Sequence, residues 1–203
     1  MLSKRLKSVI FVCGFCAIWM MAFGIPAFAD EVSDTIEEAL NYYSEGDRAE
    51  AVSSLEYAAQ LIRQQRGEQL VEFLPAPLSG WTAEGSNSEA MAGAMFGGGV
   101  TANRAYTGKD GQRIEVTIAT DSPMLQGMLM LLSNPMAMSS QGAKMKRIAG
   151  QKAMVTYDEQ DSSGEIQMAV ANRFLVTIQG DDVSEQELLD YAAAIDYKGL
   201  QDF

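Results

Sequence analysis

The chain has 203 residues, of which 15 are basic and 27 are acidic, and its formal net charge is −12. This charge disfavours nucleic acids and anionic lipid surfaces as partners, because both would repel the chain. The sequence contains no histidine. That composition excludes Ser-His-Asp and Cys-His catalysis and removes the usual ligands of zinc, copper(II) and iron sites.

Residues 1–29 have the three parts of a cleavable secretory signal. Basic residues precede an apolar stretch. The helix-breaking Pro26 follows it, and after this proline come the small residues Ala27 and Ala29. We expect cleavage there; the alternative is an uncleaved anchor, because the apolar stretch approaches the ~20 residues that span a bilayer. Cleavage removes Cys13 and Cys16 together with three basic residues, which leaves 12 basic against 27 acidic residues and a charge of −15. The signal predicts a periplasmic or secreted location, and a mature chain without thiols fits a periplasmic protein better than a small disulfide-bonded extracellular one.

Residues 30–74 predict a helical hairpin. Apolar residues recur at helical spacing on either side of Glu45-Gly46-Asp47. Gly46 suits a left-handed helix end, and Asp47 suits the cap of the next helix. The apolar positions are Ile36, Ala39, Leu40 and Tyr43 in the first helix and Ala51, Val52, Leu55, Ala58, Ala59 and Ile62 in the second.

The run from Ala39 to Ala51 resembles the middle of a tetratricopeptide repeat. In that family small residues let two helices pack closely, and glycine lies at the turn. The resemblance occurs once, over about residues 34–66, whereas stacked repeats need about three units to be stable alone. We therefore expect a single hairpin that packs on the rest of the chain.

Two interpretations of this hairpin remain open. It is either an ordinary αα-hairpin with alanine at the helix crossing or a repeat-like surface that binds a protein partner. The candidate partner contacts are Tyr42, Tyr43, Arg48 and Tyr57.

Residues 75–85 predict a linker, because Pro75 and Pro77 cannot continue a helix and stiffen the chain. Residues 86–99 are rich in alanine, glycine and methionine and end in three glycines. A glycine run cradles phosphate when a strand precedes it and a helix follows it. Here a strand follows, so we expect a small-residue surface segment at the start of the last domain, 86–203.

From Val100 onwards the apolar pattern has a period of two, which predicts strands. Asp110-Gly111 is a hairpin signal, Pro123 is placed to begin a helix, and Ser184 with Glu187 forms a capping-box pattern before a final helix. The predicted strands are 100–107, 113–120, 144–148, 152–157, 164–171 and 173–179.

Strands in hairpin succession with segregated helices predict an α+β fold. The expected architecture is an N-terminal αα-hairpin followed by an antiparallel sheet with an inserted helix and a C-terminal helix. This order of elements resembles the domain shared by the photosystem II extrinsic PsbP proteins and a nuclear-transport factor. The resemblance is one of element order alone and carries over no residues.

Methionine is conspicuous after residue 29. It either fills gaps in a core, forms an adaptable groove for a partner or small hydrophobic ligand, or supplies thioether ligands for copper(I). Leucines interleave with these methionines, which is typical of a core face. We expect no cofactor, with copper(I) as the alternative. The candidate ligand or metal residues are Met124, Met128, Met130, Met136 and Met138.

Charged clusters have ordinary structural explanations. The acids from Asp158 to Glu165 surround a predicted turn, and the basic cluster from Lys144 to Lys152 is suited to protecting an edge strand. Carboxylate-pair hydrolysis needs two acids in a cleft, one with a raised pKa. Glu115 lies on the polar phase of its strand, and no second acid pairs with it in the sequence.

The sequence therefore predicts an exported, non-enzymatic accessory protein. It would bind a protein partner through the hairpin or a hydrophobic ligand through the methionine-rich helix and the sheet, and it would not insert stably in a membrane after cleavage. Two alternatives remain, a methionine-based metal-binding protein and a histidine-free, carboxylate-dependent hydrolase.

Overall fold

A computed structural model describes residues 30–90, 99–120, 123–133 and 143–203. The signal segment 1–29, with Ala27 and Ala29, lies outside the described residues, as do Met136 and Met138. A pair of helices precedes an antiparallel sheet that carries further helices, so the predicted α+β arrangement is confirmed.

The hairpin consists of helices α1 (Glu31–Glu45) and α2 (Arg48–Leu70). Gly46 ends α1 with a φ of 88°, a left-handed conformation that glycine adopts without strain. The Asp47 carboxylate then accepts a hydrogen bond of 3.2 Å from the Glu50 amide and caps α2. The turn predicted from these two residues is confirmed. Within the described ranges, no helix is both long and apolar enough to cross a membrane.

Small side chains form the crossing of the two helices. Ala39, Ala51 and Ala58 are buried there, together with Thr35 and Ser54. Small residues allow the two backbones to approach closely, but they bury little apolar area. Because burial stabilises a protein by about 0.8 kcal/mol for each CH₂ group, this crossing contributes little hydrophobic stabilisation. The longer helix, α2, also packs against the sheet, and its last residue, Leu70, is fully buried in the main core.

A three-residue 3₁₀ helix, Val71–Phe73, leads from the hairpin to the sheet. Seven strands form one continuous antiparallel sheet in the order β1-β3-β4-β8-β7-β6-β5, and β2 pairs with β3 beside β1. The strands are β1 (Trp81–Ala83), β2 (Asn87–Ala90), β3 (Val100–Gly108), β4 (Arg113–Thr120), β5 (Lys144–Ile148), β6 (Gln151–Asp158), β7 (Ser163–Val170) and β8 (Phe174–Asp181).

The first two strands differ from the sequence prediction. β1 lies within the predicted linker 75–85, and β2 lies within the predicted surface segment that begins at residue 86. Each has only three or four residues, too few to show alternation, and each is a strand because β3 offers it a pairing edge.

Tight turns join the last four strands. Ala149-Gly150 connects β5 to β6, and Ala171, Asn172 and Arg173 connect β7 to β8; of these five residues all but Arg173 have positive φ. Positive φ at both central residues is the geometry of a two-residue hairpin turn. The basic strand β5 lies at the end of the strand order, so it is an edge strand. The sequence predicted that its lysines protect such an edge.

The main core lies between one face of the sheet and helices α4 (Glu185–Ala193) and α5 (Tyr197–Asp202). Ser184 and Glu187 form the predicted capping box at the start of α4. The short helix α5 was not predicted. The fully buried large side chains of this core include Tyr106, Ile114, Ile118, Ile166, Met168, Phe174, Ile178, Leu188, Tyr191 and Leu200.

The opposite face of the sheet has a smaller cover. Helix α3 (Pro123–Ser133), which begins at the predicted proline, packs on β7 and β8. Leu125 and Met128 of α3 form a second apolar cluster with Leu175. The sheet is therefore a middle layer between unequal helical layers.

Candidate functional site

Exposed apolar side chains concentrate on the helical hairpin. In the described part of the chain ten large apolar residues are exposed, and seven of them belong to α1 and α2. Scattered exposed apolar residues are normal in soluble proteins, but contiguous patches mark interaction sites. The seven are Ile36, Leu40, Tyr43, Val52, Leu55, Tyr57 and Ile62.

Helical geometry arranges six of these residues in two stripes. On α1 the residue after buried Thr35 is Ile36, and the residue after buried Ala39 is Leu40. On α2 Val52 follows buried Ala51, and Leu55 in the same way follows buried Ser54. One residue is a rotation of about 100° about the helix axis. Each stripe therefore lies about a quarter turn from the helix crossing.

Both stripes lie on the same side of the hairpin. The two helices run in opposite directions, and their crossing residues face each other. Both helices are right-handed, so one step along either chain rotates the side-chain direction by the same angle in the same sense about that helix. Because the helices are antiparallel, this rotation points both stripes to the same side of the hairpin. We call this surface the apolar face; it consists of Ile36, Leu40, Tyr43, Val52, Leu55 and Ile62, with Leu40 and Tyr43 each 66% exposed.

Acidic side chains border the apolar face. Glu37 lies three residues before Leu40, and Glu56 lies four residues after Val52, so each is a neighbour of its stripe on the helix surface. From Asp30 to Leu70 the sequence has ten acidic and three basic residues, a net charge of −7, and two of the basic residues, Arg48 and Arg63, lie on the same side of α2 as Val52. The apolar face is thus set in a strongly negative hairpin.

The other side of the hairpin is polar. The Tyr57 hydroxyl donates a 2.9 Å hydrogen bond to Glu31 Oε1, which joins α2 to α1 and raises the pKa of Tyr57. The Tyr42 pKa is also raised, first by the negative charge of Glu38 and then by burial and by further acids that include Glu50. We call this side the acidic back, formed by Glu31, Glu38, Tyr42, Glu50 and Tyr57.

The four predicted partner contacts therefore divide between the two sides. Tyr43 belongs to the apolar face, and exposed Arg48 lies one helical turn before Val52, at the end of that face near the turn. Tyr42 and Tyr57 lie on the acidic back. Leu40 and Leu55 were predicted as members of helical faces and were not singled out as contacts. The signal that distinguishes them is the alanine or serine directly before each one.

The methionines of α3 lie in different environments. Met128 is 3% exposed and fills space between α3 and the sheet, with Met154 packed against the same cluster. Met130 is 76% exposed, and Met124 is 67% exposed. Side chains two residues apart on a helix point about 200° apart, so Met128 and Met130 do not converge as copper(I) ligands would.

A row of carboxylates and amides occupies the sheet face beside α3. Strand pairing places Gln179 between Glu115 and Glu165 on three adjacent strands. Gln179 and Gln167 donate hydrogen bonds of 3.3 and 2.6 Å to Glu165 Oε1, and Asn103 donates one of 3.3 Å to Glu115 Oε1. The strands that carry the two acids are about 10 Å apart. Both carboxylates of this row accept hydrogen bonds from amide side chains, and Glu165 also lines a cavity with Asp158 and Asp181.

The acidic turn after β6 is organised by its own backbone. The Asp158 carboxylate accepts hydrogen bonds from the Gln160 and Asp161 amides at 2.8 and 3.4 Å. Among the residues whose placement is described, no group of three acidic side chains is arranged to hold a metal ion. The turn therefore has a structural explanation.

Comparison with known proteins finds no matching family model, no matching curated protein and no matching solved structure. The resemblances to a tetratricopeptide repeat and to PsbP-like domains stay predictions. The function is therefore inferred from the surfaces of the chain itself.

Proposed function

We propose that this chain is an exported, non-enzymatic accessory protein that binds a protein partner on the apolar face of its helical hairpin. The export signal at residues 1–29 supports a periplasmic or secreted location. The observation that carries the binding role is the contiguous set of six exposed, large apolar side chains on one side of α1 and α2.

The composition of the hairpin supports this role. Full burial of a valine, leucine or isoleucine side chain stabilises a protein by about 1.5–3 kcal/mol relative to exposure. The helix crossing instead buries alanine, serine and threonine together with Val32, and it leaves Leu40, Leu55 and both isoleucines of the hairpin in water. A partner that covers the apolar face would remove these side chains from water, and this burial would favour binding.

The segment after the hairpin is held firmly by the sheet. The Pro75 carbonyl accepts hydrogen bonds from the Tyr106 hydroxyl at 2.6 Å and from Arg104 at 3.2 Å. The Leu78 amide donates a hydrogen bond of 3.3 Å to the Tyr191 hydroxyl. With Leu70 buried in the core, α2 has a fixed base. A docking surface on a fixed element needs less ordering when its partner binds.

Capture from an extract of cells that produce the protein tests the proposal. Leu40→Ser/Leu55→Ser removes two large side chains from the apolar face without changing charge. The matched control, Asn41→Ser/Gln60→Ser, changes two exposed polar residues of the same helices. We expect the wild type and the control to retain the same proteins and the leucine variant to lose them. An identical set on all three proteins would contradict the proposal.

A further inference from the structure

The methionines that the structure describes differ widely in their access to water. Met124 and Met130 on α3 are mostly exposed, and Met145 on β5 is 43% exposed. Met128 and Met168 are buried. Residues 30–203 contain no cysteine, so thioethers are the only sulfur groups of that part of the chain. A thioether is oxidised to a sulfoxide when an oxidant reaches its sulfur, so these methionines should differ in reactivity.

Helix α3 carries a methionine of each kind. Met128 packs with Leu125 and Leu175 in the second apolar cluster, whereas Met130 lies two residues later and projects about 200° away from it. The helix has no charged residue from Pro123 to Ser133. An oxidant therefore reaches Met130 while α3 stays in place, but it reaches Met128 only when α3 leaves the sheet.

The edge of the sheet repeats this arrangement. Met145 on β5 and Met154 on β6 are directly opposite each other in the strand register. Met154 is half-buried and packs against the cluster under α3, while Met145 belongs to the edge strand and is more exposed. The outer methionine of this pair is therefore the more accessible one.

Met168 is protected in a second way besides burial. The Tyr197 hydroxyl donates a hydrogen bond of 3.4 Å to the Met168 sulfur inside the main core. Oxidation adds an oxygen atom to a sulfur lone pair, and this hydrogen bond occupies the same sulfur. Met168 should therefore be the least reactive of the described methionines.

We propose that the exposed methionines, Met124, Met130 and Met145, are sites of oxidation by hydrogen peroxide. A sulfur lone pair attacks one peroxide oxygen, so that a sulfur–oxygen bond forms as the oxygen–oxygen bond breaks. The sulfur is oxidised, the peroxide is reduced, and the displaced hydroxide leaves with the remaining proton as water. The polar sulfoxides are solvated where they form, so the outer side of α3 becomes polar while its inner side stays packed on the sheet. This inference goes beyond the proposed function and does not involve the apolar face.

Oxidation of the folded protein with dilute hydrogen peroxide tests the reactivity. Tandem mass spectrometry of its peptides locates each added oxygen. We expect Met130 and Met145 to be oxidised at least about tenfold faster than Met128 and Met168, with Met154 between the two groups. The same reaction in concentrated urea is the reference, and there the difference should disappear. Equal rates for all five methionines in the folded protein would overturn the proposal.

Glutamine substitutions test whether the fold accepts a polar group at these positions. Met130→Gln/Met145→Gln places polar side chains at two exposed sites and should leave the thermal midpoint close to that of the wild type. Met128→Gln is the matched control on α3, because it buries an unpaired amide and should lower the midpoint by about 5 °C or more. A large loss of stability in the exposed variant, or an unchanged midpoint in the control, would overturn the division into tolerant and structural methionines.

Discussion

The hairpin and the sheet use apolar residues in opposite ways. In the sheet region large side chains such as Ile178 and Tyr191 are fully buried between strands and helices. At the helix crossing of the hairpin the buried residues are alanine, serine, threonine and one valine, whereas Leu40 and Leu55 are more than half exposed. The comparison shows that large apolar residues maintain the fold in one region and remain available for contact in the other.

The two regions therefore differ in what a substitution removes. A core side chain in the sheet region is in contact with many others, so shortening it leaves a cavity. A large side chain on the apolar face has water on its outer side, so shortening it changes little in the isolated protein. Measurements that compare matched substitutions in the two regions test this difference.

The largest contrast is expected between Ile178→Ala and Leu40→Ala. Ile178 is fully buried, so its truncation should lower the free energy of unfolding by about 2–5 kcal/mol. Leu40 is 66% exposed, so its truncation should cost less than about 0.5 kcal/mol. Urea titration measures both, with the fluorescence of Trp81, which packs edge-on against Tyr191, as the probe. Equal losses would refute the contrast between the regions.

A glycine in the core region should be nearly as sensitive. A Cβ atom at Gly180 would lie 2.6 Å from Val183 Cγ2 and 2.7 Å from Leu188 Cδ2. We expect overpacking in Gly180→Ala to lower the free energy of unfolding by about 1–3 kcal/mol and so to lower the thermal midpoint. Gly85→Ala is the control, because a Cβ atom there meets no heavy atom within 4 Å. Unchanged melting of the Gly180 variant would show that α4 packs less closely on β8 than described.

Alkaline pH should act on the core through its tyrosines. Burial raises the pKa of the Tyr191 phenol to about 12, from 10.0, and raises the pKa of Tyr197 further. The folded state therefore retains protons that the unfolded state releases above pH 10. The contribution of these tyrosines to the free energy of unfolding should be fully present below pH 10. It should fall as the pH rises towards 12, by up to about 1.4 kcal/mol per pH unit for one phenol. Urea titrations at several pH values measure this, and Tyr191→Phe should show a shallower decline.

A smaller destabilisation than in the core is expected from loss of the cap of α2. Asp47→Ala removes the acceptor of the Glu50 amide and should cost about 1 kcal/mol. Because this cap belongs to the hairpin, hydrogen exchange should accelerate in α1 and α2 while the sheet amides stay protected. Asp47→Asn, which retains a side-chain acceptor, is the control and should leave the exchange rates close to those of the wild type.

The elements that could be predicted are those with local signals. Gly46 and Asp47 specify the turn of the hairpin, and Ser184 with Glu187 specifies the start of α4, because each pair acts within three or four residues. The two short strands before β3 could not be predicted, since their pairing depends on a partner that is distant in the sequence. Helix α5 has a local cap, because the Asp196 carboxylate accepts a 2.9 Å hydrogen bond from the Gly199 amide, but its two anchors, Tyr197 and Leu200, are buried only once the core exists.

The candidate site was visible in part. Helical spacing identified Leu40 and Leu55 as members of apolar faces, but spacing does not say which part of such a face points inward. That choice depends on the helix crossing, which buries Ala39 and Ser54 and turns the residue after each of them outward. Of the predicted contacts, Tyr57 bonds to Glu31 and Tyr42 lies beside Glu38, both glutamates of the same hairpin, and sequence spacing does not reveal these partners.

The crossing of small residues also bears on how this chain can change over evolutionary time. Because Ala39, Ala51 and Ala58 hold α1 to α2 without help from the outward leucines, the outer surface can mutate while the scaffold persists. Selection for a new ligand can then act on Ile36, Leu40 and their neighbours with little penalty in folding. The proposed contact residues and the buried residues of the crossing occupy adjacent positions of the same helices, so the two sets can change independently.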